Sequence, residues 1–316
     1  MIETLRRWLR HADDGEALTR DQSGRLMRRA TSASVAVATT LIVAKVIALA
    51  MTGSVSVLSS LIDSSMDVLA SLINFFAVRH ALQPADREHR FGHGKAEPLA
   101  ALGQAAFIAG SAVFLAIEAG ARLLRPRPID NIETGIAVMA LSIVLTLALV
   151  GYQRYVVRKT GSTAIQADAL HYETDLLING SVIVALALSR WLDWRLADPL
   201  FGGAIALYLL RAAWLILRRA FDLLMDREFV EAERARIREI VLSHPEVKGM
   251  HDLRTRSSGI QPFIQFHLEL DGAMSLYDAH VIADQVEIMV KKAYPGAEVI
   301  IHQDPEGIVE ERARFA

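Results

Sequence analysis

The chain has 316 residues, 52% of them hydrophobic and 22% charged, with a mean hydropathy of +0.28, so its composition departs from that of an ordinary soluble domain. A net charge of -2 gives no electrostatic footing for nucleic-acid binding. The absence of cysteine excludes disulfides and thiolate metal sites, leaving any metal to the ten histidines and the carboxylates, a donor set suited to Zn(II), Fe(II), Mn(II), Co(II) or Cd(II).

In chain order, residues 1–30 come first, with Arg6, Arg7, Arg10, Arg20, Arg25, Arg28 and Arg29 but no apolar core of the signal-peptide kind, and Asp13, Asp14 and Glu16 argue against a transit peptide. They read as a cytoplasmic leader. Residues 31–220 contain six stretches long enough to span a bilayer, at 31–52, 54–82, 98–123, 133–157, 165–189 and 198–219. Gly53, the polar run from Gln83 to Glu97, Arg125-Pro126-Arg127-Pro128, Lys159 to Thr163 and Asp193 to Pro199 break them apart. Six spans return the chain to its starting side. Lys and Arg are denser on the side of the leader, the 2/3 loop and the end of span 6, so both termini and the region 221–316 are expected in the cytoplasm.

Spans 2 and 5 share an anomaly. Asp63 and Asp67 sit four residues apart within "SLIDSSMDVLASLINFF", and His171 and Asp175 sit four apart within "DALHYETDLLING". A charged Asp at the bilayer centre costs about 2.5–3.5 kcal/mol. Spacing of i, i+4 puts each pair on one helix face, and a rise of about 1.5 Å per residue places the two pairs at matched depth on antiparallel spans. Three carboxylates and one imidazole suit a tetrahedral divalent cation, which cancels the repulsion between the acids. Ligands must shed protons to bind metal, so loading releases protons and unloading collects them, as an antiporter requires. His171, whose side-chain type has an unperturbed pKa of about 6.5, is the expected proton carrier. Lys45, Glu118 and Arg211 are single charged residues in or near spans and read as snorkelling or pairing residues.

The 2/3 loop, "PADREHRFGHGKAEP", holds Asp86, His89 and His93, with Gly92 and Gly94 allowing a tight bend. Spacing alone does not decide between a metal site and solvated loop residues. The tail reads helix 229–243, strand 249–257, strand 261–270, helix 276–293 and strand 296–303, an αββαβ order that makes a small α+β domain with helices on one face of its sheet. Alternation in "FIQFHLEL" buries Ile264, Phe266, Leu268 and Leu270 and puts His267 on the more polar face. His251, His267, His280 and His302, with Asp304, are a metal-ligand excess for a domain this small, whereas His11, His80 and His244 have no matching partners.

These segments together, "DSSMD", "HYETD", "DREHRFGHGKAEPLAAL", "HDLRTR", "FIQFHLELDG" and "VIIHQDP", resemble the cation diffusion facilitators, in particular the YiiP branch, from about Ser32 to Pro305. The resemblance implies a homodimeric divalent-metal/proton antiporter in a bacterial inner membrane, with Asp63, Asp67, His171 and Asp175 as transport site. It further implies a loop site of Asp86, His89 and His93 and a binuclear tail cluster of His251, His267, His280, His302 and Asp304 at the dimer contact, Asp304 bridging. Lys95 and Asp226 correspond to a charge pair holding the two membrane halves in register. Asp at position 63, where zinc-restricted relatives have His, resembles members of wider tolerance, so Cd(II) and Fe(II) join the expected cargo; affinity order places zinc first, with Mn(II) and Co(II) within the donor set's range. An intramembrane metalloenzyme is disfavoured: no HExxH occurs, four ligands leave no open position, and Glu173 at i+2 points away from His171. A membrane metal sensor that binds without transporting is the rival reading.

Overall fold

A computed structural model describes residues 18–52, 55–124, 136–192 and 197–307. The expectations for most of the leader, for Gly53, for the Arg125–Pro128 run and for residues 193–196 and 308–316 lie outside the described residues. Six long helices come first: α1 (Arg20–Thr52), α2 (Val55–Ala81), α3 (Ala96–Leu124), α4 (Ile136–Thr160), α5 (Thr163–Leu192) and α6 (Ala197–Leu224). They are followed by α7 (Glu231–Leu242), β1 (Gly249–Ser258), β2 (Gln261–Leu270), α8 (Leu276–Ala293) and β3 (Glu298–Pro305). The described residues divide into two compact units, one within 24–221 and the other comprising residues 18–23 together with 222–307.

Helix α1 begins at Arg20, not at 31, because Thr19 and Gln22 form a reciprocal capping box: Gln22 N–H donates to Thr19 Oγ1 at 3.3 Å and Thr19 N–H to Gln22 Oε1 at 2.8 Å. Polar helical turns thus precede the apolar run. Among the described residues, α1, α3 and α6 are long and apolar enough to cross a membrane, on length and composition alone. Small residues let the helices approach closely: Ala101, Ala105 and Ala112 on α3 meet Ala167 on α5 and Ala213 and Ala220 on α6 in one buried cluster.

Helix α5 packs on α2, α3 and α4, and its N-terminus is held with particular care. Gly161, at φ 69, ends α4, its N–H donating to Val157 O at 2.8 Å. Ser162 Oγ then accepts from the Ile165 N–H at 3.2 Å. Buried Glu97, at the start of α3, accepts from the Thr163 and Ala164 N–H groups at 2.7 and 3.5 Å. These donors would otherwise be orphans in an apolar setting. Arg219 of α6 donates to Gly161 O and to Gln166 Oε1, both at 3.0 Å.

In the other unit a three-stranded sheet has the order β1-β2-β3, β1 antiparallel and β3 parallel to β2. One sheet face buries Ile264, Phe266, Leu268 and Leu270 against Ile237 and Val241 of α7 and Val286 and Val290 of α8. Strand β3 runs 298–305 rather than 296–303, since Gly296 at φ 83 closes the turn after α8 and the pairing with β2 continues to Pro305. A bulge in β1 between His251 and Arg254 carries Asp252 at φ 47.

Replacing Glu97 by Ala leaves the first donors of α5 unpaired at about 1–3 kcal/mol each. The detergent-solubilised protein is expected to melt at lower temperature, with Glu97→Gln intermediate because it retains one acceptor oxygen.

Candidate metal centres

Asp67 on α2 and His171 on α5 meet inside the helical unit. His171 Nε2 lies 3.1 Å from Asp67 Oδ1, with side chains 9% and 20% exposed. Asp67, His171 and Asp175 each offer a ligand atom within 4.8 Å of the others. Asp63 stands on α2 one turn before Asp67, its side chain outside the described residues. The His171 ring packs edge-on against Phe107, with centroids 5.8 Å apart, and borders a cavity of about 450 Å³ whose lining, apart from His171 and Gln104, is apolar and includes Met66, Ile73 and Phe107. Lys45 of α1 donates to Ser64 Oγ of α2 at 2.6 Å. Glu173 faces elsewhere, as its spacing predicts, and pairs with Arg154 Nε at 2.6 Å.

A further titratable group, not prominent in the sequence, lies on the same helix. Asp168, 1% exposed, accepts from Ser34 Oγ of α1 and Gln153 Nε2 of α4, both at 2.6 Å, and from Gln104 Nε2 of α3 at 3.4 Å. It therefore ties three helices to α5. Its spacing to His171 and Asp175, i, i+3, i+7, is the signal that marks it as part of one polar stripe. Next to it Tyr172 shares a hydrogen bond of 2.7 Å with Ser71 of α2.

In the 2/3 loop Asp86 gathers both histidines, with His89 Nδ1 3.4 Å from Oδ1 and His93 Nε2 3.3 Å from Oδ2. The three ligand atoms again fall within 4.8 Å of one another. The His89 N–H donates to Asp86 Oδ1 at 2.6 Å, and this bond above all holds the carboxyl below its ordinary range. Asp86 is thereby kept ionised, the form a cation needs. Gly92 takes φ 76 in the bend. His80 has a partner after all: its ring lies 4.6 Å from that of His93, a proximity invisible in the sequence because one residue ends α2 and the other precedes α3.

On the open face of the tail sheet, strand register sets His251, His267 and His302 side by side, one from each strand. Asp304 reaches all three: Oδ2 lies 2.8 Å from His267 Nδ1 and 3.3 Å from His251 Nε2, and Oδ1 lies 3.0 Å from His302 Nε2. His251, His267 and Asp304 form a third group of potential ligands within 4.8 Å. His251 Nε2 is buried without a hydrogen-bond partner, the condition of a nitrogen shaped for an ion shared with Asp304. His280 stands apart from this group on α8, 65% exposed, with Nε2 3.6 Å from Asp284. Asp226, at φ 53, lies 3.5 Å from Arg256 in the tail unit, and Lys95 belongs to the helical unit. His244 is structural, its Nε2 2.8 Å from Gln285 Oε1.

Residues 32–225 match the cation efflux transmembrane domain and residues 230–306 the cytoplasmic domain of cation efflux proteins. The chain belongs to the cation efflux family. The cation-efflux pump FieF of Klebsiella pneumoniae is 50% identical over 286 residues, covering 90% of this chain and 95% of the relative. FieF of Salmonella paratyphi A is 48% identical over 291 residues, covering 92% and 97%. The metal-bound C-terminal domain of the CzcD transporter from Thermotoga maritima matches 26% of this chain and 100% of its own, at 31% identity and a TM-score of 0.24. As a cation diffusion facilitator of the FieF type, the protein is a membrane transporter and not an enzyme. Its six-helix transmembrane bundle carries the Asp67 group, and its cytoplasmic α+β domain carries the Asp304 group.

Asp168→Ala strands Ser34 and Gln153 as buried donors, at about 1–3 kcal/mol for each unpaired group. Thermal unfolding in detergent is expected to show a large destabilisation, most of it restored in Asp168→Asn, which keeps an acceptor in the same place.

Proposed function

We propose that the protein exports divalent transition-metal ions, zinc foremost and cadmium or iron as alternatives, from the cytoplasm across a bacterial inner membrane in exchange for protons. The observation that carries this reading is the approach of Asp67 to His171 at 3.1 Å with Asp175 in the same group, between two helices, in a setting where an unneutralised carboxylate is costly. Asp63, Asp67, His171 and Asp175 form the transport site. Nitrogen and oxygen donors without thiolate favour Zn(II) over Fe(II) and Mn(II) by affinity order. A cytoplasmic ion displaces protons from the acids and His171, and protons arriving from outside return to the same groups as the ion leaves. Rocking of the spans about this fixed site gives alternating access.

The excess of Lys and Arg near the leader, the 2/3 loop and the end of span 6 supports cytoplasmic termini. Two copies assemble through the tail domains, where His251, His267, His280, His302 and Asp304 hold a metal pair with Asp304 as bridge, and Lys95 and Asp226 keep the membrane halves in register. Asp86, His89 and His93 hold a further ion at the loop. Domain limits follow: leader 1–30, transmembrane domain 31–220, regulatory domain 221–316. Tail metal biases transport only through different affinity for the two tail arrangements.

In proteoliposomes carrying a trapped pH dye, a zinc gradient is expected to drive metal flux with opposing proton movement. Asp67→Ala is expected to cut both by roughly ten-fold or more. Normal flux in that variant would reject the assigned site, and zinc binding without any flux in the wild type would favour a sensor. For the tail, His267→Ala is expected to abolish zinc-dependent tightening of the dimer, followed by sedimentation of the full-length protein. Unchanged metal dependence would remove the regulatory role.

A further inference from the structure

The geometry points to Glu269 as the positioning residue that fixes the tautomer of His251 at the tail cluster, with Gly249 as the gap through which its carboxylate reaches. This inference rests on the metal-binding role proposed for that cluster. His251 Nδ1 lies 2.7 Å from Glu269 Oε1. A carboxylate oxygen only accepts, so Nδ1 carries a proton, and in the neutral imidazole that a metal requires the lone pair is then left on Nε2. That second nitrogen is buried, has no hydrogen-bond partner and lies 3.3 Å from Asp304 Oδ2. Carboxylate, imidazole and ion site thus stand in series, the arrangement that orients a metal-binding histidine and raises its basicity.

The reach depends on the strand register. Gly249 is the direct partner of Glu269 across the β1/β2 ladder, and His251 is the direct partner of His267, so Glu269 meets His251 only diagonally. To do so its carboxylate crosses the space above Gly249. A Cβ added there would overlap Glu269 Oε2 and stand 2.9 Å from Cδ. Gly249 does not adopt a positive φ, so the backbone would accept any residue. What the position requires is an absent side chain, the second reason for a glycine inside a strand. Because the atoms in the way end a flexible side chain, Gly249→Ala should fold and simply turn the carboxylate aside.

The test is zinc competition against a chromophoric chelator on the full-length protein in detergent, in a background of Asp67→Ala and Asp86→Ala that removes the other two sites. Cobalt absorption spectra serve as a second readout. Glu269→Ala is expected to weaken tail binding about 10–100-fold, whereas Glu269→Gln, which keeps the accepting oxygen, stays within a few fold. Gly249→Ala should reproduce the Glu269→Ala loss, and the double variant should lose no more than either alone, since both remove one interaction. Wild-type affinity in Glu269→Ala, a Gln variant as weak as the Ala variant, or additive losses would each overturn the proposal. Wild-type affinity in Asp304→Ala would instead reject the cluster itself. Apo-state melting temperatures for Gly249→Ala and Glu269→Gln separate a folding defect from a binding one.

Discussion

Charge inside an apolar bundle has to be neutralised where it stands, and this constraint shapes the whole helical unit. Asp67 and His171 answer it by meeting across the α2/α5 contact, with Asp175 one turn along. For that contact to hold its geometry, α5 cannot drift. Glu97 caps its first turn, Asp168 draws Ser34, Gln104 and Gln153 onto its side, and Tyr172 reaches Ser71 on α2. Each tie is a polar bond whose loss would leave a buried group unpaired, a stronger restraint in this setting than apolar packing alone.

The tail unit solves a different problem with the same side chains. One sheet face supplies the core, so the opposite face is free for chemistry, and three strands in register bring one imidazole each to a common row. Asp304 stands beside that row and presents different oxygens to different rings. The bulge at Asp252 and the glycine at 249 adjust the strand locally without disturbing the hydrophobic face.

Periodicity and spacing made several parts legible. The six apolar runs, the two i, i+4 pairs and the alternation of β2 are local patterns that a strand or helix period exposes directly. The true start of α1 was also written locally, in Thr19 and Gln22, but a count of apolar residues overlooks a cap placed in the polar stretch before the apolar run. Asp168 was obscure for a deeper reason: its partners come from three other helices, up to 134 positions away, and nothing beside it in the chain announces them. Glu269 and His80 were hidden likewise. The first looks like an ordinary polar alternate until strand register is known, and the second joins His93 only after the loop folds back.

The turn between α4 and α5 has a mechanical consequence. Only Gly161 and Ser162 separate the two helices, and both are bonded in place. With no slack at the hinge, neither rod slides past the other without breaking the joint, and Gln153 on one reaches Asp168 on the other as a crossbar. The two helices are therefore expected to act as a single lever arm, the face that carries His171 and Asp175 keeping its place against its neighbour in any rearrangement.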